Sequence, residues 1–391
     1  MSSLMNNYAR QSLSPVKGEG VWLFDAAGNR YLDALSGVGV CGLGHCHPAI
    51  TRAIQQQAET LLHSSNIYQI PAQEKLADTL IRLSGLKNAF FNNSGAEANE
   101  TAIKLARLYG HKKGIHTPAI IVMENSFHGR TLATLTATGN RKIQAGFEPL
   151  VQGFIRAPYN DLEAIANIAQ NSSEVAAILV EPVQGEGGIR IPDAGYLAAL
   201  RQICDEHDWL FMLDEIQTAV CRTGKWFAFQ HCACKPDVMT LAKNLANGIP
   251  IGACLAGEKA ADLFQPGNHG STFGGNPFAC TVASAALAVY EQENLADRAA
   301  LLGQRIVEQF KTTLSNVPGV VEIRGKGMMI GIALDRPCAT LVKEAIAQGL
   351  LINVTADKVV RLLPPLILSD AEAELLITGV SKLIKDFLAR T

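Results

Sequence analysis

Two stretches of this chain hold residues fit for chemistry: Trp209-Leu-Phe-Met-Leu-Asp214-Glu-Ile-Gln217 and Val238-Met-Thr-Leu-Ala-Lys243. Each is a short apolar run with a charged residue at its carboxyl end, the profile of a buried parallel strand emptying into a site. In open α/β sheets ligands bind beyond the carboxyl ends of the strands, so Asp214 and Lys243 are expected to face one crevice. Burial there disfavours the ammonium form of Lys243 and leaves a nucleophilic amine suited to a Schiff base. A carboxylate beside it suits a pyridoxal phosphate ring, whose nitrogen must stay protonated to draw electrons. An internal Asp–Lys ion pair fits the same pattern, and the strands alone do not choose between them.

Four further stretches end strands or fill Gly-rich loops. In Asn93-Ser-Gly-Ala-Glu-Ala-Asn99, Ser94 and Glu97 make an S-x-x-E capping box at the start of a helix. Gly95 and Ala96 at that start also expose backbone N–H groups that an anion such as phosphate can approach. Glu124-Asn-Ser-Phe-His-Gly-Arg130 offers Phe127 for stacking and Arg130 for a carboxylate; Phe127 as ordinary core and His128 as a satisfied loop histidine are the plainer readings. Glu181-Pro-Val-Gln-Gly-Glu-Gly-Gly188 carries two carboxylates, either solvated or held near an arginine as a gate. His269-Gly-Ser-Thr-Phe-Gly-Gly-Asn-Pro277 carries the hydroxyls of Ser271 and Thr272, suited to phosphate or to turn chemistry alone. Arg361 is a lone cation in the apolar run Val359-Val-Arg-Leu-Leu363; it calls for an anion, since burying it unpaired is costly.

The elements that must position these groups follow from pattern. Gly18 to Asp33 reads as two short strands around an Ala-Gly-Asn turn, and Pro48 to Leu62 as a helix with proline in its first turn. Between Asn88 and Ala256 strands are predicted at 89–91, 120–123, 177–180, 210–213, 238–240 and 251–255, alternating with helices. That alternation predicts an α/β fold with a mostly parallel sheet and helices on both faces. A long helix is predicted from Ala279 toward Leu302, then strands at 331–334, 351–354 and 359–363 in a smaller α+β domain. The resulting division is an N-terminal segment over 1–60, a large domain over 61–278, and a linking helix with the C-terminal small domain over 279–391.

With 391 residues, 48% hydrophobic and 18% charged, the chain can bury a large core. A net charge of −2 gives no footprint for nucleic acid or an anionic membrane. The first residues lack a secretory signal and no run is long enough to span a bilayer, so a soluble cytoplasmic protein is expected. Nine cysteines are expected as reduced thiols. Neither His45-Cys-His47 nor His231-Cys-Ala-Cys234 has zinc-site spacing, so no metal is expected.

Ser94–Asn99, Phe127-His-Gly-Arg-Thr-Leu-Ala-Thr-Leu135, Glu181–Gly188, Leu213-Asp-Glu-Ile-Gln217 and Gly270–Pro277 together resemble the class III, pyridoxal-phosphate-dependent aminotransferases, from about Asn7 to the C-terminus. The resemblance implies a fold-type-I transferase that acts as a homodimer. It makes Lys243 the Schiff-base lysine and proton shuttle and Asp214 the partner of the ring nitrogen. Glu215, Ile216 and Gln217 would adjoin the cofactor, with Gln217 near its phenolic oxygen. Gly95 and Ala96 would bind its phosphate, with Thr272 reaching in from the other subunit, and Phe127 would stack on the ring. Arg130 and Ser271 would hold the substrate, while Glu186 would mask Arg361 until 2-oxoglutarate needs it. The implied reaction moves the δ-amine of a donor such as N-acetylornithine to 2-oxoglutarate, as in arginine biosynthesis; succinylornithine, ornithine and 4-aminobutyrate are alternative donors. An aminomutase and a degenerate pyridoxal-binding protein are the rival readings. This chain departs from the family at Ala219 and Cys221, and at Asn244 and Ala246, where glycine is usual. A family glycine at φ > 0 would make Ala or Cys there cost roughly 1 kcal/mol.

Overall fold

A computed structural model describes residues 3–390. The centre of the large domain is a seven-stranded sheet. Its strands are β4 (Asn88–Asn92), β5 (Ala119–Met123), β6 (Phe154–Ala157), β7 (Val175–Val180), β8 (Leu210–Asp214), β9 (Val238–Leu241) and β10 (Gly252–Ala256), after three N-terminal strands described below. The spatial order is β4-β10-β9-β8-β7-β5-β6. β5 through β9 pair in parallel, while β10 runs antiparallel to both neighbours. Every residue of β5, β7, β8 and β9 is buried. Successive residues go to opposite faces: Phe211 and Leu213 join one apolar cluster, Leu210 and Met212 the other. A sheet covered on both faces explains why these strands read as continuous apolar runs. All six strands predicted between Asn88 and Ala256 are present, extended by a residue or two or shifted by one.

β6 has no counterpart among the predicted strands. It is an edge strand, and Arg156 interrupts its apolar run, donating instead to the carbonyls of Thr136 and Ala137.

The N-terminal strands are β1 (Pro15–Glu19), β2 (Trp22–Asp25) and β3 (Arg30–Asp33), an antiparallel set with one strand more than predicted. The helix Pro48–Thr60 has His47 as its cap, whose ring nitrogen accepts from Ala49 N. His45 meets Asp33 at 2.8 Å, so both histidines of that cluster serve the structure. The predicted helix 279–302 is two helices, Pro277–Gln292 and Leu295–Leu314, broken at Asn294 with φ +51°. Asparagine tolerates that left-handed break, and the apolar spacing continues across it, which hid the joint.

Beyond it lie β11 (Val320–Lys326), β12 (Met329–Leu334), β13 (Leu350–Leu351), β14 (Asn353–Thr355) and β15 (Val359–Leu362). β11, β12, β15 and β14 form a separate antiparallel sheet. The predicted strand 351–354 is divided: β13 pairs in parallel with β3, and β14 joins β15. The β3–β13 pair ties the N-terminal segment to the C-terminal part of the chain.

One cysteine expectation is corrected. Cys232 and Cys234 are joined by a disulfide, while the other seven are free thiols. Ala233, at φ +50°, turns the chain so that the two Cα atoms stand 5.3 Å apart. No helix among the described residues is long and apolar enough to cross a membrane.

Candidate active site

The register of the central sheet builds the site. Asp214, last residue of β8, lies opposite Thr240 of β9, and Lys243 follows three residues later at the start of a helical turn, Lys243–Ala246. Lys243 takes φ +46°, a left-handed conformation that costs a non-glycine residue of order 1 kcal/mol or more and is held only by its surroundings. Burial pulls the amine of Lys243 below its ordinary pKa, while Glu186 opposes the shift and Arg361 adds to it. A depressed, buried amine is a nucleophile.

Asp214 is 4% exposed. Its Oδ2 accepts from Asn99 Nδ2 at 2.8 Å and lies 2.7 Å from His128 Nδ1, and its Oδ1 accepts from Ile216 N at 3.1 Å. The Thr240 hydroxyl donates to Asn99 Oδ1 at 2.8 Å, which fixes the amide so that its N–H groups face Asp214 and the His128 carbonyl. Donors arranged this way hold both carboxylate oxygens in place. Sequence reasoning missed Asn99 and Thr240, and it left His128 as a loop residue. The signal for Asn99 and Thr240 was a polar side chain on an otherwise apolar helix face or strand; His128 stood next to the stacking candidate Phe127.

Lys243, Asp214 and His128 border a cavity of about 380 Å³. Gly95, Ala96, Phe127, Arg130, Glu186, Ile216, Gln217 and Lys243 all line it, with Asp214 at its wall. The helix Gly95–Lys112 opens onto it. Ser94 Oγ accepts from Glu97 N at 3.2 Å, and the Glu97 carboxylate accepts from Asn93 N and the Ser94 hydroxyl. The capping box therefore exists, and its returning bond goes to Asn93. The N–H groups of Gly95 and Ala96 remain in the first turn, where no intrahelical acceptor exists. A Cβ on Gly95 would lie 2.8 Å from Ile216 Cδ1, so only glycine leaves the helix start this close to the cavity.

Arg361 is buried to 2% exposure. Its Nη1 meets Glu186 Oε1 at 2.6 Å, and Nε and Nη2 donate to Asn353 Oδ1 at 3.1 and 2.8 Å. Burial is the largest influence and pushes the Glu186 carboxyl up, but the charge and hydrogen bond of Arg361, with Lys243 and Gln217, together make the net shift downward. Arg130 stands 5.8 Å from the Phe127 ring centroid and is exposed.

One expectation, for Glu215, is corrected in detail. Glu215 does not turn toward the cavity; its carboxylate accepts from Ala228 N, Phe229 N and the Thr218 hydroxyl, because strand alternation sends it to the face opposite its neighbours. Burial raises its pKa to about 7. Ser271 and Thr272 do not line the cavity of their own chain. Ser271 Oγ accepts from Gly274 N at 2.9 Å and Asn93 Nδ2 at 3.3 Å, and Thr272 is exposed.

The residues fit pyridoxal phosphate. A neutralisable amine, a buried carboxylate, a helix start and an aromatic face surround one cavity, and Gln217 Oε1 is a buried acceptor without a hydrogen-bond partner among the described residues. The chain matches the family Aminotransferase class-III over residues 4–384. It belongs to the class III aminotransferases. It is 61% identical over 388 residues to an acetylornithine aminotransferase of Nitrosomonas europaea, covering 99% of each chain. It is 45% identical over 380 residues to an acetylornithine aminotransferase of Methanocaldococcus jannaschii, covering 97% of this chain and 95% of the other. Among solved structures, the ornithine aminotransferase of Toxoplasma gondii superposes with a TM-score of 0.96 at 34% identity, over 100% of this chain and 94% of that one. As a class III aminotransferase the protein is a pyridoxal-phosphate-dependent enzyme of fold type I.

The four departures from family glycines separate in the structure. Cys221 sits at φ +68°, next to Val220 at φ +51°, whereas Ala219, Asn244 and Ala246 do not take positive φ. The roughly 1 kcal/mol penalty therefore belongs to Cys221 alone. Asn244 Nδ2 donates to the Val220 carbonyl at 3.3 Å, so one departure braces the turn that holds the other.

Proposed function

We propose that this enzyme transfers the δ-amino group of N-acetylornithine to 2-oxoglutarate, giving N-acetylglutamate 5-semialdehyde and glutamate. The single observation that carries this reading is Arg361, a buried guanidinium already paired to Glu186 at 2.6 Å beside Lys243. Such a pair admits an α-carboxylate only when the mask moves, which suits an enzyme whose donor reacts at a distant amine and whose acceptor reacts at the α-carbon.

Pyridoxal phosphate, when bound, supplies a carbonyl for amine exchange and an electron-withdrawing ring. Gly95 and Ala96 would hold the phosphate through backbone N–H groups, and Phe127 would stack on the ring. Asp214, positioned by Asn99 and the Ile216 N–H, would pair with the ring nitrogen, and Gln217 would adjoin the phenolic oxygen. Lys243 would hold the cofactor through its amine and is the group that would move the proton at the substrate carbon. Arg130 holds the donor's carboxylate and the distant carboxylate of 2-oxoglutarate; Arg361 takes the α-carboxylate of the acceptor.

The active unit of this reading is a cytoplasmic homodimer. The placement of Thr272 outside its own cavity supports it, since that exposed hydroxyl is available to complete the partner's phosphate site. The exposed Phe273 beside them, 61% accessible in the single chain, is apolar surface suited to such a contact. The test is a donor panel followed by the absorbance of the bound cofactor. N-acetylornithine should convert it fastest, and faster conversion by ornithine or 4-aminobutyrate would overturn the substrate assignment.

A further inference from the structure

Glu181, at the carboxyl end of β7, is 6% exposed and touches none of the groups assigned above through an ion pair. Its two oxygens go instead to two loops. Oε1 accepts from the backbone N–H of Phe127 at 2.9 Å, and Oε2 accepts from the backbone N–H of Gly185 at 3.2 Å. Phe127 is the stacking residue, and Gly185 precedes the gate residue Glu186. The backbone of Glu181 is itself pinned, because the Tyr159 hydroxyl lies 3.1 Å from the carbonyls of both Glu181 and Pro182.

The gate loop has little slack of its own. Gln184 and Arg190 exchange two backbone bonds, each 3.0 Å, which closes the loop at its base. A Cβ on Gly185 would lie 1.9 Å from Gln217 Oε1, so Gly185 approaches the cofactor-facing amide as nearly as a residue can. The Glu186 carbonyl accepts from the Thr355 hydroxyl of β14. Within this frame the Gly185 N–H bond to Glu181 fixes the distance between gate and ring.

We propose that Glu181 is a positioning residue that straps the Phe127 loop to the Gly185–Glu186 gate loop, and that its charge sets how readily Glu186 yields Arg361 to an α-carboxylate. The second half of this statement rests on the gate reading above; the first does not. Charge-assisted bonds to backbone N–H groups are about twice as strong as neutral ones, so the strap is tight when Glu181 is ionised and slack when it is protonated. The groups facing it are His128 from the loop after β5, Asp214 of β8, Lys243 after β9 and Tyr159 after β6. Burial raises the Glu181 pKa to about 7, His128 pulls it back, and Asp214 raises it further. The ordinary value is 4.5, so the proton is taken up on folding: the strap carries its charge above about pH 7 and loses it as pH falls. The 3.2 Å bond to Gly185 is the longer and yields first.

Amide hydrogen exchange on the cofactor-free protein tests the strap without any turnover. After correction for intrinsic rates, protection of peptides containing Phe127 and Gly185 should fall by about 10-fold between pH 8 and pH 6. Glu181→Gln should show the low value at both pH values, and Glu181→Asp should restore part of the step. The wild-type pH step alone suffices should a variant not fold. In the holoenzyme, Glu181→Gln should remove the inflection near pH 7 from kcat/KM for 2-oxoglutarate and leave that for the amine donor largely intact. A pH-independent wild type, or unchanged protection in folded Glu181→Gln, overturns the strap whatever the gate does. Lost protection combined with equal damage to both half-reactions in Arg361→Ala supports the strap and overturns the gate.

Discussion

Replacing Glu186 by glutamine removes the charge that masks Arg361 while leaving Asn353 to hold the guanidinium through two bonds, of 3.1 and 2.8 Å. Arg361 therefore stays in place and becomes available. The size of the effect follows from what an incoming carboxylate must displace. A fully buried pair costs about 3–5 kcal/mol to break, and an exposed one about 0–1 kcal/mol. Here Arg361 is 2% exposed and Glu186 is 37% exposed at the side chain, so solvent screens one partner. A value of roughly 1–2 kcal/mol is appropriate after that discount, which converts to about 5- to 30-fold in affinity. Glutamate, docking by its α-carboxylate, should bind Glu186→Gln tighter by that factor. N-acetylornithine should gain nothing, and should lose specificity as it docks wrongly on the freed arginine. Because Arg361 holds the Glu186 carboxyl below its ordinary pKa, the mask is lost only as pH falls through that lowered value, and assays at neutral pH read it intact. Stopped-flow absorbance of the bound cofactor with each amine measures both half-reactions separately. An unchanged ratio of glutamate to N-acetylornithine reactivity would refute the gate.

Other perturbations give distinct outcomes. Asp214→Asn should keep the cofactor bound yet slow each half-reaction by at least ~10²-fold, as for other preorganised electrostatic contacts; near-wild-type single-turnover rates would make Asp214 a bystander. Asn99→Ala removes the 2.8 Å hydrogen bond to Asp214 Oδ2, worth roughly 0.5–1.5 kcal/mol, and should weaken pyridoxal phosphate binding by a few-fold, read as a rise in its Kd. Mixing Lys243→Ala with Thr272→Ala subunits should restore activity that neither has alone, and an active monomer in sedimentation would end the dimer reading. Cys221→Gly should be more stable than Cys221→Ala by about 1 kcal/mol in chemical denaturation, the reverse of the usual order, because only glycine is unstrained at φ +68°.

The parts of this fold that burial dictates were readable in the sequence. β5, β7, β8 and β9 are covered on both faces, so their apolar runs and the charged residues ending them announced the sheet and placed Asp214 and Lys243. Edges and joints were not readable. β6 hid behind Arg156, whose partners are carbonyls far along the chain, and the helix break at Asn294 left the apolar spacing intact. The division of 351–354 between two sheets depends on pairing with β3 and β15, and no local pattern records distant pairing. In the site, the cavity-lining residues Gly95, Ala96, Phe127, Arg130 and Gln217 stood in recognisable motifs, while Asn99 and Thr240 meet Asp214 or each other and Glu181 meets two loops. Their polarity was visible, but which groups they serve is set by the sheet register and the loop crossings. Glu215 shows the converse, a motif residue whose side chain leaves the cavity for the backbone at Ala228 and Phe229.

The central claim is that Lys243 is the amine that joins the cofactor. Adding borohydride to the holoenzyme fixes the cofactor to whichever amine holds it, and peptide mapping by mass spectrometry then locates the added mass. The structure predicts a single modified peptide with the pyridoxyl group on Lys243, and none in Lys243→Ala. A pyridoxyl group on any other lysine, or on Lys243→Ala protein with its absorbance intact, would contradict the account.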